Sequence, residues 1–462
     1  MNSSSLSPSI LSKLASIVGA EFVLTSNEDR ICYAYDGQRV EYLPDAVVRP
    51  ADAEEISRIM ILANDEHFPV VPRGGGTGLS GGSVASSGGI VLDLTRMNRI
   101  KEIDLGNLHM VVEPGVITAA IVAEAEKNNL LYPPDPGSVK VSTIGGNVAE
   151  NAGGLRAGKY GVTRNYLMQL SAIAPTGEHF RSGARTRKCV AGYDLVSLMC
   201  GSEGTLGVVT EIALRLVPLP KFRRSMVATF ADASTAGCAV SNIMAAGLIP
   251  ATLEIIDNFT LRTIEDYAHL GLPVDAGALV LAEFDGLAES AVDEEGETGN
   301  RVLLESGASG VEFAKDAAER DKIWQARRVA LAALSRAKPT SILEDVTVPL
   351  PKLSDMIARV ERIGRENGIA IGTFGHAGDG NLHPTILTNE RDEDEMKRVE
   401  VAVSQLIDAA LELGGTVSGE HGIGFCKAPF LPREVGVESI EVMQRIKRAM
   451  DPNNILNPGK FV

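Results

Sequence analysis

The sequence predicts an α+β protein built from two α+β modules. Three observations carry this. Strands alternate with helices along most of the 462 residues, glycines gather in long loops that follow strands, and a Pro218-Leu219-Pro220 cluster interrupts the pattern. Length alone allows about three units at ~150 residues each. The composition, 44% apolar and 23% charged, excludes a disordered chain. Forty-four Lys and Arg against 60 Asp and Glu leave a net charge of −16. That charge repels phosphate backbones and anionic bilayers, so neither nucleic acid nor a membrane surface is an expected partner. The five cysteines, Cys32, Cys189, Cys200, Cys238 and Cys426, include no C-x-x-C pair. No disulfide framework and no iron–sulfur cluster are expected from them. No apolar run reaches the ~20 residues of a membrane span. The start of the chain has no charged n-region or h-region, and a cytoplasmic location is expected.

The elements follow in order. Ser7 caps a helix with Pro8 at its first position and Ile10, Leu14, Ile17 and Val18 on one stripe. Val47-Val48, a helix over 53–66 and Val70-Val71 make a β-α-β unit. Strands are predicted at 89–94 and 110–112, then a helix over 118–129 capped by Thr118. The stretch 133–161 reads as irregular and glycine-rich, 171–181 as a hairpin turning at Pro175-Thr176-Gly177, and 208–217 as a strand. Beyond the proline cluster come strands at 226–230, 278–284, 311–314 and 346–348. They alternate with helices at 233–246, 293–306, 317–335 and 353–367, and a last helix covers 440–450.

Gly76-Thr77-Gly78-Leu79-Ser80-Gly81 matches G-x-G-x-x-G. A dinucleotide fingerprint must open a helix, because the pyrophosphate sits on that helix's N-terminus. Here Ser83 to Gly89 lead to another strand, so the nicotinamide reading is rejected. What remains is either a flexible turn or a nest of glycine N–H groups that wraps an anion. Pro133 to Ser138, Thr143 to Asn147, Asn151 to Gly154 and Gly201 to Gly207 add further loops of small residues, which leave a groove for a large flat ligand. Three of the seven histidines fall in two short motifs, His376-Ala377-Gly378-Asp379-Gly380-Asn381-Leu382-His383 and Glu420-His421-Gly422. The glycine turn can aim two imidazoles at one point. Two imidazoles and a carboxylate suit Zn²⁺ or Mn²⁺.

Together these motifs, with Lys188 to Asp194, resemble the vanillyl-alcohol oxidase / p-cresol methylhydroxylase superfamily. Within it the chain is similar to the glycolate oxidase flavoprotein subunit and to the FAD-dependent D-lactate and D-2-hydroxyglutarate dehydrogenases. The resemblance runs from about Pro44 to Pro458. It implies a two-part FAD-binding domain of the p-cresol methylhydroxylase type with an α+β substrate cap domain. The implied bounds are 1–220 for the FAD domain, 221–425 for the cap with its metal site, and 426–462 for a segment returning to the FAD domain.

The resemblance also implies the site residues. Arg73, Gly74, Gly75, Gly76, Thr77 and Gly78 would hold the FAD pyrophosphate. Pro133, Asp135, Ser138, Thr143, Gly146, Asn147, Asn151 and Gly153 would line the flavin and ribityl chain. Glu203, Gly207 and Val208 would meet the adenine side, and Asn457 would also touch the cofactor. The first loop has no histidine or cysteine, so the flavin should be non-covalent. His376, His383 and Glu420 would bind a divalent metal, His421 would act as base, and Arg327, after Trp324, would bind the substrate carboxylate. In an extended stretch Glu420 and His421 would point oppositely.

The D-2-hydroxyglutarate enzymes carry a threonine one turn after that arginine and a lysine before the next strand. Here Leu331 takes the first place, and Ser341 to Asp345 contains no lysine but Glu344 and Asp345. Arg336 and Lys338 are the nearest cations. This favours a 2-hydroxy monocarboxylate such as D-lactate or glycolate. D-2-hydroxyglutarate, and a non-catalytic flavin subunit of an oxidase complex, are the alternatives. A quinone, a cytochrome or an electron-transfer flavoprotein would accept the electrons, and a homodimer is compatible with the sequence.

Overall fold

The structure is a computed structural model that describes residues 6–38 and 40–461. The chain divides into two compact units. One takes the residues up to Gly153, Gly161–Leu219 and those from Glu420 on, and the other takes Gly154–Tyr160 and Pro220–Gly419.

In the first unit β1 (Val23–Leu24), β2 (Ala46–Val48), β3 (Val70–Arg73) and β4 (Ile90–Asp93) form a sheet in the order β1-β2-β4-β3. β4 runs parallel to both β2 and β3. Strands covered on both faces need apolar residues throughout, and β2 and β4 are buried at every position. The Ala53–Glu66 helix packs Ile56, Ile59, Met60 and Ala63 into this core. At ~1.5–3 kcal/mol for each large side chain, that stripe outweighs the helix's modest intrinsic propensity. The Pro8–Val18 helix adds Leu14 and Val18, with Ser7 accepting from the Ile10 amide at 3.3 Å.

A second sheet contains β5 (Ile100–Asp104), β6 (His109–Val112), β8 (Leu167–Ile173), β9 (His179–Gly183) and β10 (Val208–Arg215). Its pairs are antiparallel, in the order β5-β6-β10-β8-β9. β7 (Leu130–Leu131) and β11 (Val217–Pro218) form a separate ladder.

Two local expectations are corrected. Thr118 is not a cap: Ile117 holds that position, and the Thr118 hydroxyl donates to the Ser142 carbonyl at 3.1 Å and accepts from Asn147 Nδ2 at 2.8 Å. The stretch 133–161 is not irregular throughout, because Ile144–Glu150 and Ala157–Tyr160 are helical. Glycine costs ~1 kcal/mol per helical position. The Thr143 cap and the burial of Ile144, Asn147 and Val148 offset that for Gly145 and Gly146.

The end of the chain completes this unit. Val70 donates to the Ile455 carbonyl at 2.9 Å and Asn457 donates back to the Val70 carbonyl at 2.8 Å, while Ile455 and Leu456 enter the core. Buried Lys460 donates to the Gly81 and Val84 carbonyls, both at 2.8 Å.

The second unit is a sheet with helices packed on both of its faces. Its strands are β12 (Phe222–Phe230), β13 (Thr252–Asp257), β14 (Ala278–Gly286), β15 (Gly310–Phe313), β16 (Thr340–Leu343), β17 (Val346–Thr347), β18 (Ala370–Gly375) and β19 (Asn381–Thr388). They lie in the order β15-β12-β14-β13-β18-β19-β16, with β17 beside β19. Alternate residues of β14 enter different cores: Ala278, Val280, Ala282 and Phe284 one, Leu279 and Leu281 the other. The first core is covered by the Ala233–Ala245, Leu353–Asn367 and Glu393–Glu412 helices, the second by Asn258–Ala268 and Ala317–Ala337.

Candidate active site

β18 ends at Gly375, and the next residue, His376, opens a short turn over Ala377–Asp379. Gly380 closes that turn at φ +79°, a conformation open to glycine; a Cβ there would lie 2.1 Å from the Val348 carbonyl oxygen. The chain then returns as β19, which carries His383. The two rings meet edge to face with centroids 5.1 Å apart, and both side chains are buried. The turn does aim the two imidazoles at one place.

Neighbouring β13 supplies a residue that sequence reading missed. Glu254 is completely buried. One of its oxygens lies 2.7 Å from His376 Nδ1, and the other accepts from Arg327 Nε. Burial pushes this carboxyl's pKa up, but Arg327 and His376 outweigh it and hold the group below the usual carboxylate range. A carboxylate on Nδ1 fixes the tautomer that turns Nε2 toward a ligand. The same carboxylate positions Arg327, whose guanidinium lies 4.6 Å over the Phe374 ring. The Arg327 side chain is 11% exposed, and among the described residues its Nη groups donate to no acceptor. Trp324 sits one turn earlier on the same helix and donates to Glu283 at 3.1 Å.

Around these groups Asn381 Nδ2 donates to Asp345 at 2.6 Å and to Thr347 at 2.8 Å. Asp345 also accepts from Ser418 at 2.7 Å. The chain leaves this unit through Gly419, where a Cβ would lie 1.9 Å from Asn381 Nδ2. Leu331 packs against the second core. Lys338 is paired with Glu395 at 2.9 Å, and Arg336 lies over the Tyr267 ring.

In the first unit the glycine loop leaves β3 and reaches β4 with no helix between them. The predicted cofactor segments converge. A Cβ on Gly74 would sit 2.0 Å from Thr143 Oγ1, and one on Gly75 would sit 2.5 Å from the Val141 carbonyl oxygen. Arg73 is buried under Ser83, to whose carbonyl it donates at 3.3 Å. Pro133 is buried, Asp135 and Ser138 are half-buried, and Asn151 accepts from the Arg164 amide at 2.9 Å. Thr77 and Gly78 lie farther along the loop; a Cβ on Gly78 would meet nothing nearer than 3.9 Å. The buried Ser80 hydroxyl, in the same loop, has no partner among the described residues. Open glycine backbone beside an orphaned buried hydroxyl fits a polar ligand such as the FAD pyrophosphate.

Glu420 and His421 open the last segment of this unit in a bend, not the extended stretch expected. A Cβ on Gly153 would lie 3.0 Å from Glu420 Oε2, so a predicted flavin-lining residue adjoins the predicted metal ligand. Glu203 accepts from the amides of Ile423 at 2.8 Å and Gly424 at 2.6 Å. Its carboxylate therefore orders the segment that carries His421. Asn457 donates to the Glu203 carbonyl at 2.8 Å and to the Gly82 carbonyl at 2.9 Å. Val208 is buried in the core, so only its backbone is available to a ligand, and Gly207 packs on Met199. Burial, then Glu203 and Asp36, raise the Glu150 pKa well above the usual carboxylate range.

The chain belongs to the FAD-linked oxidases. An FAD binding domain matches residues 44–183, and the C-terminal domain of FAD linked oxidases matches residues 219–461. It is therefore an FAD-linked oxidoreductase, and FAD is its cofactor. Glycolate oxidase subunit GlcD of Bacillus subtilis is 47% identical over 450 residues, covering 97% of this chain and 96% of that protein. D-lactate dehydrogenase of Anaerostipes hadrus is 36% identical, covering 99% of this chain and 98% of that protein. Among solved structures, p-cresol methylhydroxylase with substrate bound superposes with a TM-score of 0.81 at 18% identity, covering 98% of this chain and 96% of that one. The last likeness bears on the fold alone.

Proposed function

We propose that the protein oxidises a D-2-hydroxy monocarboxylate, D-lactate or glycolate, to the 2-oxo acid. One observation carries the reading: a single buried carboxylate, Glu254, holds both the arginine and the histidine that such a substrate requires. The Nη groups of Arg327 suit bidentate binding of the substrate carboxylate. The 2-hydroxyl proton passes to His421. When bound, the isoalloxazine supplies the acceptor for the hydride on the 2-carbon. A divalent metal, zinc or manganese, belongs to this reading, with His376, His383 and Glu420 as ligands and polarisation of the substrate oxygens as its chemistry. The Nδ1 contact with Glu254 favours the His376 tautomer whose Nε2 can ligate an ion, which suits it to that task.

The choice of a monocarboxylate is supported by Leu331, packed against the second core where the dicarboxylate enzymes carry a threonine, and by Arg336 and Lys338 being engaged elsewhere. Electrons then leave to a separate quinone, cytochrome or electron-transfer flavoprotein. None of the described helices is long and apolar enough to cross a membrane.

A panel of D-lactate, glycolate and D-2-hydroxyglutarate with a dye acceptor tests the substrate. Turnover confined to D-2-hydroxyglutarate overturns the reading. Anaerobic rapid mixing tests the base: His421→Ala should slow flavin reduction ~10²–10⁴-fold near neutral pH, and an unchanged rate removes His421 from that role.

A further inference from the structure

We infer that Glu102, Asp104 and His109, on the β5–β6 hairpin, form a divalent-cation site of the zinc class, apart from the histidine motifs. The hairpin register sets Asp104 opposite His109, and Glu102 lies two residues before Asp104 on the same strand face. His109 is only 3% exposed, and neither ring nitrogen has a hydrogen-bond partner among the described residues. A buried imidazole with both nitrogens unmet is an anomaly that a ligand would resolve.

The ring is aimed into the cluster. Nε2 lies 3.9 Å from one Glu102 oxygen and Nδ1 lies 3.9 Å from one Asp104 oxygen. That is too long for a hydrogen bond. An ion held ~2.0–2.2 Å from each of two atoms spans up to ~4.4 Å between them. One donor atom from each of the three residues lies within 4.8 Å of the others.

The carboxylates are already oriented. Asp104 Oδ1 accepts from the Gly106 and Asn107 amides, both at 2.9 Å, and Oδ2 accepts from Asn107 Nδ2 at 2.7 Å. Arg185 takes the far oxygen of Glu102 at 2.8 Å, which leaves the near one facing His109. Lys101, the neighbouring cation, is drawn to Glu211 at 2.8 Å and Glu113 at 3.8 Å. One ring nitrogen binds the ion. The other ring nitrogen keeps its proton. The Glu102 side chain is 45% and the Asp104 side chain 28% exposed, so water fills the remaining positions. An imidazole with two carboxylates suits zinc better than calcium or magnesium.

The test titrates metal-stripped, FAD-loaded protein with Zn²⁺, and with Co²⁺ as a spectroscopic probe. His376→Ala removes the site of the proposed function, so the two readings fail separately. His376→Ala should still bind one equivalent, and Zn²⁺ should raise its melting temperature. Adding His109→Gln should abolish both effects. Adding Asp104→Asn, at a partly exposed position, should do the same and covers the case in which His109→Gln does not fold. No bound equivalent in His376→Ala, or one that survives both second substitutions, overturns the inference.

Discussion

Glu254 joins two tasks in one side chain, and its replacement separates architecture from chemistry. In Glu254→Gln the volume stays, but the charge that His376 and Arg327 share is lost. Metal affinity should fall ~10–100-fold, the usual cost of losing a partner that orients a ligand. The KM for substrate should rise as Arg327 loses its anchor. Titration of the metal-stripped variant checks the first effect and steady-state kinetics the second, with the flavin spectrum unchanged throughout. Retained metal affinity would show that Glu254 merely neutralises Arg327. This residue was hidden in the sequence for a physical reason. Its partners stand 73 and 122 positions away, and a lone glutamate reads as a solvated surface group.

At the scale of elements, legibility follows locality. The glycine loop and the His376–His383 turn were readable because turn chemistry is written in adjacent residues. Strand β13 was not. Thr252-Leu253-Glu254-Ile255-Ile256-Asp257 carries two acidic residues in a short strand, against the usual strand preference. Only pairing with β14 and β18, and distant partners for both acids, make it a central strand. The Glu393–Glu412 helix was readable in principle, since Asp392 caps it and Val399, Ala402, Leu406 and Ala410 repeat at helical spacing. Asp257 carries a prediction of its own. It caps the Asn258–Ala268 helix at 2.8 Å and accepts from the Thr373 amide at 2.8 Å, yet burial raises its pKa to about 6. The folded state therefore holds this proton more tightly than the unfolded chain, whose value stays near 3.8. Stability from this group is full below that lower value and is lost as pH rises through about 6. Urea midpoints at pH ~5 and ~7 should differ more in the parent than in Asp257→Asn. Equal differences would mean that Asp257 ionises at its ordinary pH.

At the scale of the whole molecule, the last residues of the chain hold the first glycine loop. Lys460→Met removes the donor to Gly81 and Val84, so FAD affinity should weaken while the second unit's stability is untouched. Equilibrium binding of FAD to the stripped protein checks this, and unchanged affinity would assign Lys460 to packing alone. Acid precipitation should leave the flavin in the supernatant, since the Arg73–Gly82 loop holds no histidine or cysteine to bond it. The strand contact between Val70 and Leu456 also sets an order of events during synthesis. Every residue of the second unit is synthesised before Ile455, Leu456 and Lys460 are. The first unit has its opening strands early, but Ile455, Leu456 and Lys460 arrive almost last. Its core therefore closes only after the whole of the second unit has been made.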